Sequence, residues 1–93
     1  MRLSKFEIKS IKETVKEFDP EARVYLFGSR TDDAAKGGDI DLLIVSEKIK
    51  NREKRKIRLK IFDRMEEQKI DIISTAEIKG AFIEFAYKNG IRL

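Results

Sequence analysis

The sequence predicts a small α/β domain of the α+β kind, with helices packed on a mixed sheet of at least three strands. Three observations carry that expectation. Apolar residues recur at helical spacing in three segments, short β-branched or aromatic runs lie between those segments, and Gly or Pro falls at the junctions. The order is α, β, α, β, α, β, α along 93 residues, the second α being a turn of helix inside a loop. That length suits one domain, 1–93, with one modest core. Strand order is not fixed by the sequence, because the 28–38 connection serves equally as a crossover or a wide return.

Ser4 followed by Glu7 forms a capping-box pattern, in which each side chain satisfies a free backbone N–H of the first turn. From there Ile8, Ile11, Val15 and Phe18 make one apolar stripe among Lys and Glu, which ends at Asp19-Pro20. Arg23 to Phe27 (RVYLF) is a strand closed by Gly28, and 28–38 is too polar for core. The run 39–45 (DIDLLIV) begins with strict alternation and finishes wholly apolar, as expected of a central strand with one wet end. A charged helix over 51–68 presents Ile57, Ile61, Phe62 and Met65 to the core, and 69–73 (KIDII) is a third strand. Ser74 with Glu77 repeats the capping box before a last helix that turns Ile78, Phe82 and Phe85 inward and ends at Asn89-Gly90.

Lysine and arginine number 21 against 17 aspartates and glutamates, a net charge of +4 that favours polyanionic ligands mildly. With no cysteine there is no disulfide or thiolate chemistry, and with no histidine the commonest general base and metal ligand is missing. Any bound metal must therefore be held by oxygen. No segment approaches the ~18 apolar residues of a bilayer span, and the N-terminus lacks a signal-peptide core, so a soluble cytoplasmic protein is expected.

Residues two apart on a strand share a face, so Asp39 and Asp41 project together. Two adjacent carboxylates repel unless a cation lies between them, and Mg²⁺ takes hard oxygen ligands of this kind. Asp71 lies in an apolar strand where an unpaired carboxylate is costly, and it becomes a third candidate if its strand neighbours the second. Gly28 allows backbone N–H groups close to a phosphate, while Ser29 and Arg30 offer a hydroxyl and a charge-assisted contact. Each feature alone has an ordinary alternative. Asp39-Ile40-Asp41 reads as a polar strand entrance, Asp71 as an edge-strand ion-pair partner and Gly28-Ser29 as a strand exit.

Taken together, Gly28-Ser29, Asp39-Ile40-Asp41-Leu42 and the later Asp71 resemble the nucleotidyltransferase signature of the DNA polymerase β superfamily. The likeness is closest to the minimal nucleotidyltransferases, the MNT or MntA-like proteins, and covers nearly the whole chain. It implies that Gly28 and Ser29, with Arg30 beside them, hold the triphosphate of an NTP. It also implies that Asp39, Asp41 and Asp71 carry two Mg²⁺ ions, with Asp71 helping to activate the attacking hydroxyl. Transfer of AMP from ATP to a tyrosine of a helical HEPN-domain toxin, in an antitoxin role, follows from the same resemblance. The short chain shows no module to grip an acceptor, so a partner is expected to bring it, and any nucleic acid would come only through that partner.

The sequence departs from the family pattern in the middle of the loop. Gly38 stands where a serine commonly precedes the first aspartate, the loop is a residue short, and Asp32 and Asp33 replace a smaller residue and a glycine. Two other functions compete with the enzyme: an antitoxin acting by occlusion with a vestigial site, and a small RNA-binding module using Lys48 to Lys60 (KIKNREKRKIRLK). That basic run also reads as a solvated helix face, without aromatic residues interleaved for base stacking.

Overall fold

The computed structural model describes residues 2–32, 38–65 and 69–93. Helix α1 (Lys5–Phe18) starts from the expected capping box: Glu7 N–H donates to Ser4 Oγ at 3.1 Å and Ser4 N–H to Glu7 Oε1 at 2.8 Å. Strand β1 (Arg23–Phe27) runs into a single 3-10 turn, Gly28–Thr31. Then follow β2 (Ile40–Val45), α2 (Asn51–Arg64), β3 (Ile70–Thr75), α3 (Ala81–Asn89) and a two-residue β4 (Ile91–Arg92). The sheet order is β3-β2-β1-β4. β1 is antiparallel to β2 and β4, whereas β2 and β3 are parallel with α2 as their crossover.

Alternation along the strands divides the sheet into two faces. Val24, Leu26, Ile40, Leu42, Ile44, Ile70 and Ile72 join Ile11 and Val15 of α1 and Ile57 and Ile61 of α2 in the larger core. Each fully buried aliphatic side chain there contributes roughly 1.5–3 kcal/mol. On the other face Tyr25, Leu43, Val45 and Ala86 form a smaller cluster, with Ile73, Ile78 and Ile83 packed against it. Tyr87 meets Tyr25 edge-on with ring centroids 5.2 Å apart.

Several expectations need correction. Ser74 and Thr75 do not open a helix. They extend β3, because Val45 pairs with Thr75 and Ser46 N–H donates to Thr75 O at 2.8 Å, and sheet pairing overrides the local capping signal. The last helix begins at Ala81, after Gly80, whose φ of 96° supplies the reversal that the box was expected to provide. This later start changes which side of α3 faces the sheet. Ala86 is buried while Phe82 and Phe85 remain 57% and 62% exposed, and Ile78 packs inward from the preceding turn. Phe62 is likewise 43% exposed, one helical step round from the buried Ile61. Asp39 precedes β2 rather than starting it, and β4 is a fourth strand that the sequence pattern did not separate from the helix end. The helix expected over 51–68 ends at Arg64; its last three positions, 66–68, lie outside the described residues.

A buried polar staple joins the end of α1 to the exit of β2. Ser46 Oγ donates to Asp19 Oδ2 at 2.5 Å and accepts from the N–H groups of Lys48 at 3.0 Å and Ile49 at 3.1 Å. Asp19 Oδ1 also accepts from Glu21 N–H at 3.0 Å. The Ser46 hydrogen bond is the main cause holding the Asp19 carboxyl below its usual range; the Glu21 N–H and the nearby Lys48 charge add to it, while burial opposes them. A second staple ties α2 to α1: Arg64 donates to Thr14 Oγ1 at 2.6 Å and pairs with Glu17 at 2.7 Å.

Asp19→Ala is expected to cost about 1.5–3 kcal/mol in urea unfolding, the worth of hydrogen bonds to a charged group. Because the folded pKa of Asp19 lies below the unfolded one, its contribution is complete above the unfolded pKa and is lost as pH falls through the folded value. Stability measured from pH 7 down to pH 2 should therefore fall less steeply in Asp19→Asn than in the wild type.

Candidate active site

Sheet register determines what the site contains. Phe27, the last residue of β1, pairs with Asp41, and Asp41 pairs with Asp71. Adjacent strands lie about 4.8 Å apart, so the Gly28 turn, Asp41 and Asp71 follow one another across three strands at one end of the sheet. All three lie toward the face that α3 partly covers, opposite the larger core. The structure thus brings Asp71 beside Asp41, as a neighbouring third strand requires. Asp39, just before β2, ion-pairs with Lys69, just before β3, at 3.6 Å between exposed side chains.

The Asp41 carboxyl is pushed above the ordinary aspartate range, by burial first and then by the charges of Asp71 and Asp39; Lys69 offsets this in part. Among the described residues no three acidic side chains stand close enough together to enclose a cation. The donors nevertheless fit a hard divalent ion in kind, since they are all carboxylate oxygens. The mutual repulsion felt at Asp41 is also the condition that such a cation relieves.

Both glycines at the turn are positions where a side chain has no place. Gly28 has a φ of 79°, and a Cβ there would run into the Asp41 carboxylate. The backbone of Gly28 therefore lies against the carboxylate itself. Gly38 has a φ of 93°, and a Cβ there would strike Ser29 Oγ. A side chain at this position is thus disfavoured locally, because Gly38 itself lies tightly against the Gly28-Ser29 turn. Thr31 Oγ1 closes that turn by donating to Gly28 O at 2.7 Å.

Arg30 is engaged with backbone rather than held out as a bare cation: Nε donates to Gly38 O at 3.2 Å and Nη1 to Arg2 O at 2.9 Å. Arg2, which sequence reasoning passed over, straps the same turn. Its guanidinium donates to Asp32 O at 2.9 Å and Ser29 O at 3.1 Å, and its N–H donates to Arg30 O at 2.8 Å. No motif pointed to Arg2, since only the tertiary fold brings residue 2 to residues 29–32. Asp32 is exposed just after the turn, and Asp33 lies outside the described residues.

A mixed sheet bearing a glycine-serine turn and two aspartates in paired register defines a nucleotidyltransferase-like domain. The chain belongs to that family: the family model described as nucleotidyltransferase domain matches residues 8–93. This membership supports the resemblance to the polymerase β superfamily and supports nucleotidyl transfer as the general activity. No curated protein matches the chain. Among the described residues, no helix is long and apolar enough to cross a membrane.

Two measurements test the geometry. Asp41→Asn should raise the melting temperature in EDTA by a few degrees, because it removes a half-buried charge that its neighbours disfavour. Gly38→Ala should cost ~1 kcal/mol or more, since its φ is positive and its new methyl meets Ser29. A double-mutant cycle with Ser29→Gly should recover part of that loss, with a coupling of roughly 0.5 kcal/mol or more.

Proposed function

We propose that the protein is a Mg²⁺-dependent nucleotidyltransferase that moves AMP from ATP to a hydroxyl acceptor. The acceptor in this reading is a tyrosine of a HEPN-type toxin, which the chain counteracts as an antitoxin. The observation that supports it most is the paired register Phe27, Asp41, Asp71, with Gly28 against Asp41. Phosphate seat, central carboxylate and third carboxylate follow in the order that a displacement at phosphorus needs. The single-domain extent, 1–93, and the site assignments Gly28, Ser29, Arg30, Asp39, Asp41 and Asp71 are parts of the same proposal.

In this mechanism the Gly28-Ser29 turn receives the β and γ phosphates on backbone N–H groups, which lack partners within a first helical turn. Arg2 holds the turn through the Ser29 carbonyl, and Arg30 ties it to the carbonyls of Gly38 and Arg2 on either side. Asp39, Asp41 and Asp71 would hold Mg²⁺, which supplies charge neutralisation at the transferring phosphate and lowers the pKa of the acceptor hydroxyl. Asp71 receives the acceptor proton. The acceptor oxygen forms a bond to the α-phosphorus, the bond from that phosphorus to the bridging oxygen breaks, and pyrophosphate leaves. With no histidine in the chain, a carboxylate is the available base.

Calorimetry with Mg²⁺-ATP should show binding that falls at least tenfold when Asp39→Asn is combined with Asp41→Asn. Asp71→Asn should keep nucleotide affinity within about threefold while lowering transfer to the acceptor by ~10²–10⁴, the usual worth of a general base. The acceptor in that assay is the product of the neighbouring reading frame, followed by mass spectrometry for the gain of one AMP. Neutralisation of that partner that survives loss of all three aspartates would replace catalysis with occlusion.

A further inference from the structure

An in-line displacement places the attacking and leaving oxygens on opposite sides of the phosphorus. The strand order assigns those sides here. Gly28 lies on the β1 side of Asp41 and Asp71 on the β3 side, so a leaving pyrophosphate over the glycine turn requires the acceptor to arrive over β3. Among the described residues β3 is an edge strand, with no strand on its outer side. Beside that edge runs a groove of about 310 Å³, lined by Arg58, Phe62, Lys69, Ile70 and Asp71.

The charges on α2 are divided between its two flanks. Toward α1, Lys60 and Arg64 both pair with Glu17. Toward the β3 edge, Arg58 and Phe62 stand one turn apart, with Arg55 a further turn back on the same flank. Neither Arg55 nor Arg58 has an ion pair or hydrogen bond among the described residues. Phe62 is 43% exposed and the adjoining Leu59 61% exposed. One flank is thus paired within the protein, while on the other Arg58 and Phe62 line the groove with a candidate catalytic carboxylate, and Arg55 and Leu59 adjoin them along the helix.

We infer that the groove between α2 and the edge of β3 is the acceptor's docking surface, and that its occupant is an acidic segment of a partner polypeptide. The inference rests on the nucleotidyl-transfer reading for its direction of approach, and on charge complementarity for the chemistry of the occupant. Arg55 and Arg58 supply the fork geometry that pairs with carboxylates. The outer edge of β3 offers backbone groups to an extended chain, and Phe62 with Leu59 supplies apolar contact for the side chain bearing the hydroxyl. A polynucleotide is less well served, because among the described residues Phe62 alone is an aromatic lining the groove and successive bases stack on successive rings.

The test uses the full chain and a fluorescein-labelled random copolymer of glutamate and tyrosine, with an oligouridylate RNA as the second probe. The surface predicts that the copolymer binds and that Arg55→Glu with Arg58→Glu weakens it at least tenfold. Lys5→Glu with Lys16→Glu, the same change of charge on exposed positions of α1, should alter it less than twofold. Phe62→Ser should weaken binding severalfold with no change of charge. Absence of copolymer binding, or equal loss in the α1 and α2 variants, overturns the inference. So does tighter binding of the RNA that the α2 substitutions abolish. Binding is measured without nucleotide, so copolymer docking that depends on α2 supports the surface even where transfer from Mg²⁺-ATP to the toxin partner fails and the catalytic reading with it.

Discussion

The parallel pairing of β2 with β3 is the constraint on which the rest of the molecule depends. It sets Ile40 against Ile70, Leu42 against Ile72 and, between them, Asp41 against Asp71. The alternate residues on the opposite face are buried almost without exposure. A slip of one residue would exchange the faces, placing aspartates in the larger core and isoleucines in the site. Burial of four such aliphatic side chains, at roughly 1.5–3 kcal/mol each, outweighs the repulsion between two partly solvated carboxylates. The hydrophobic core therefore holds together the charges that would otherwise move apart.

Much of this was legible in the sequence. The capping box at Ser4 and Glu7, the stripe Ile11 and Val15, the strand at 23–27 and the 3-10 turn after it all depend on interactions within a few residues, and those are visible in a local pattern. The same holds for the central position of β2, because an unbroken apolar run has to be covered on both faces. Asp71 became adjacent to Asp41 only if β3 lay next to β2. Sequence could state that condition but not decide it, since register is a property of two segments and their crossover.

What the sequence did not disclose was decided by partners distant along the chain. Ser74 and Glu77 spell a helix start, but Thr75 has Val45 and Ser46 to pair with, and a strand extends through the signal. Phe82 and Phe85 follow an inward helical pattern whose starting point was misplaced, so a small residue, Ala86, faces the sheet instead. Arg2 and Gly38 both reach the Gly28-Ser29 turn from thirty-six residues apart in sequence, so that a Cβ at Gly38 would meet Ser29 and come within 3.8 Å of the Arg2 guanidinium. A departure from a family motif at Gly38 is therefore in keeping with the close approach of Gly38 to Ser29.

β2 also separates two uses of the same side chain. Beyond its C-terminal end Ser46 holds Asp19, a buried carboxylate whose oxygens accept an O–H and an N–H, so ionisation is favoured and the group strengthens the fold. At its N-terminal end Asp41 has burial and two like charges for company, so ionisation is disfavoured and the group weakens the fold. The difference lies in what each carboxylate faces. One is satisfied by hydrogen bonds within the protein, while the other meets chiefly like charge. Charge that Lys69 offsets only in part, on a strand held by pairing on both sides, is stability that the fold forgoes at this position.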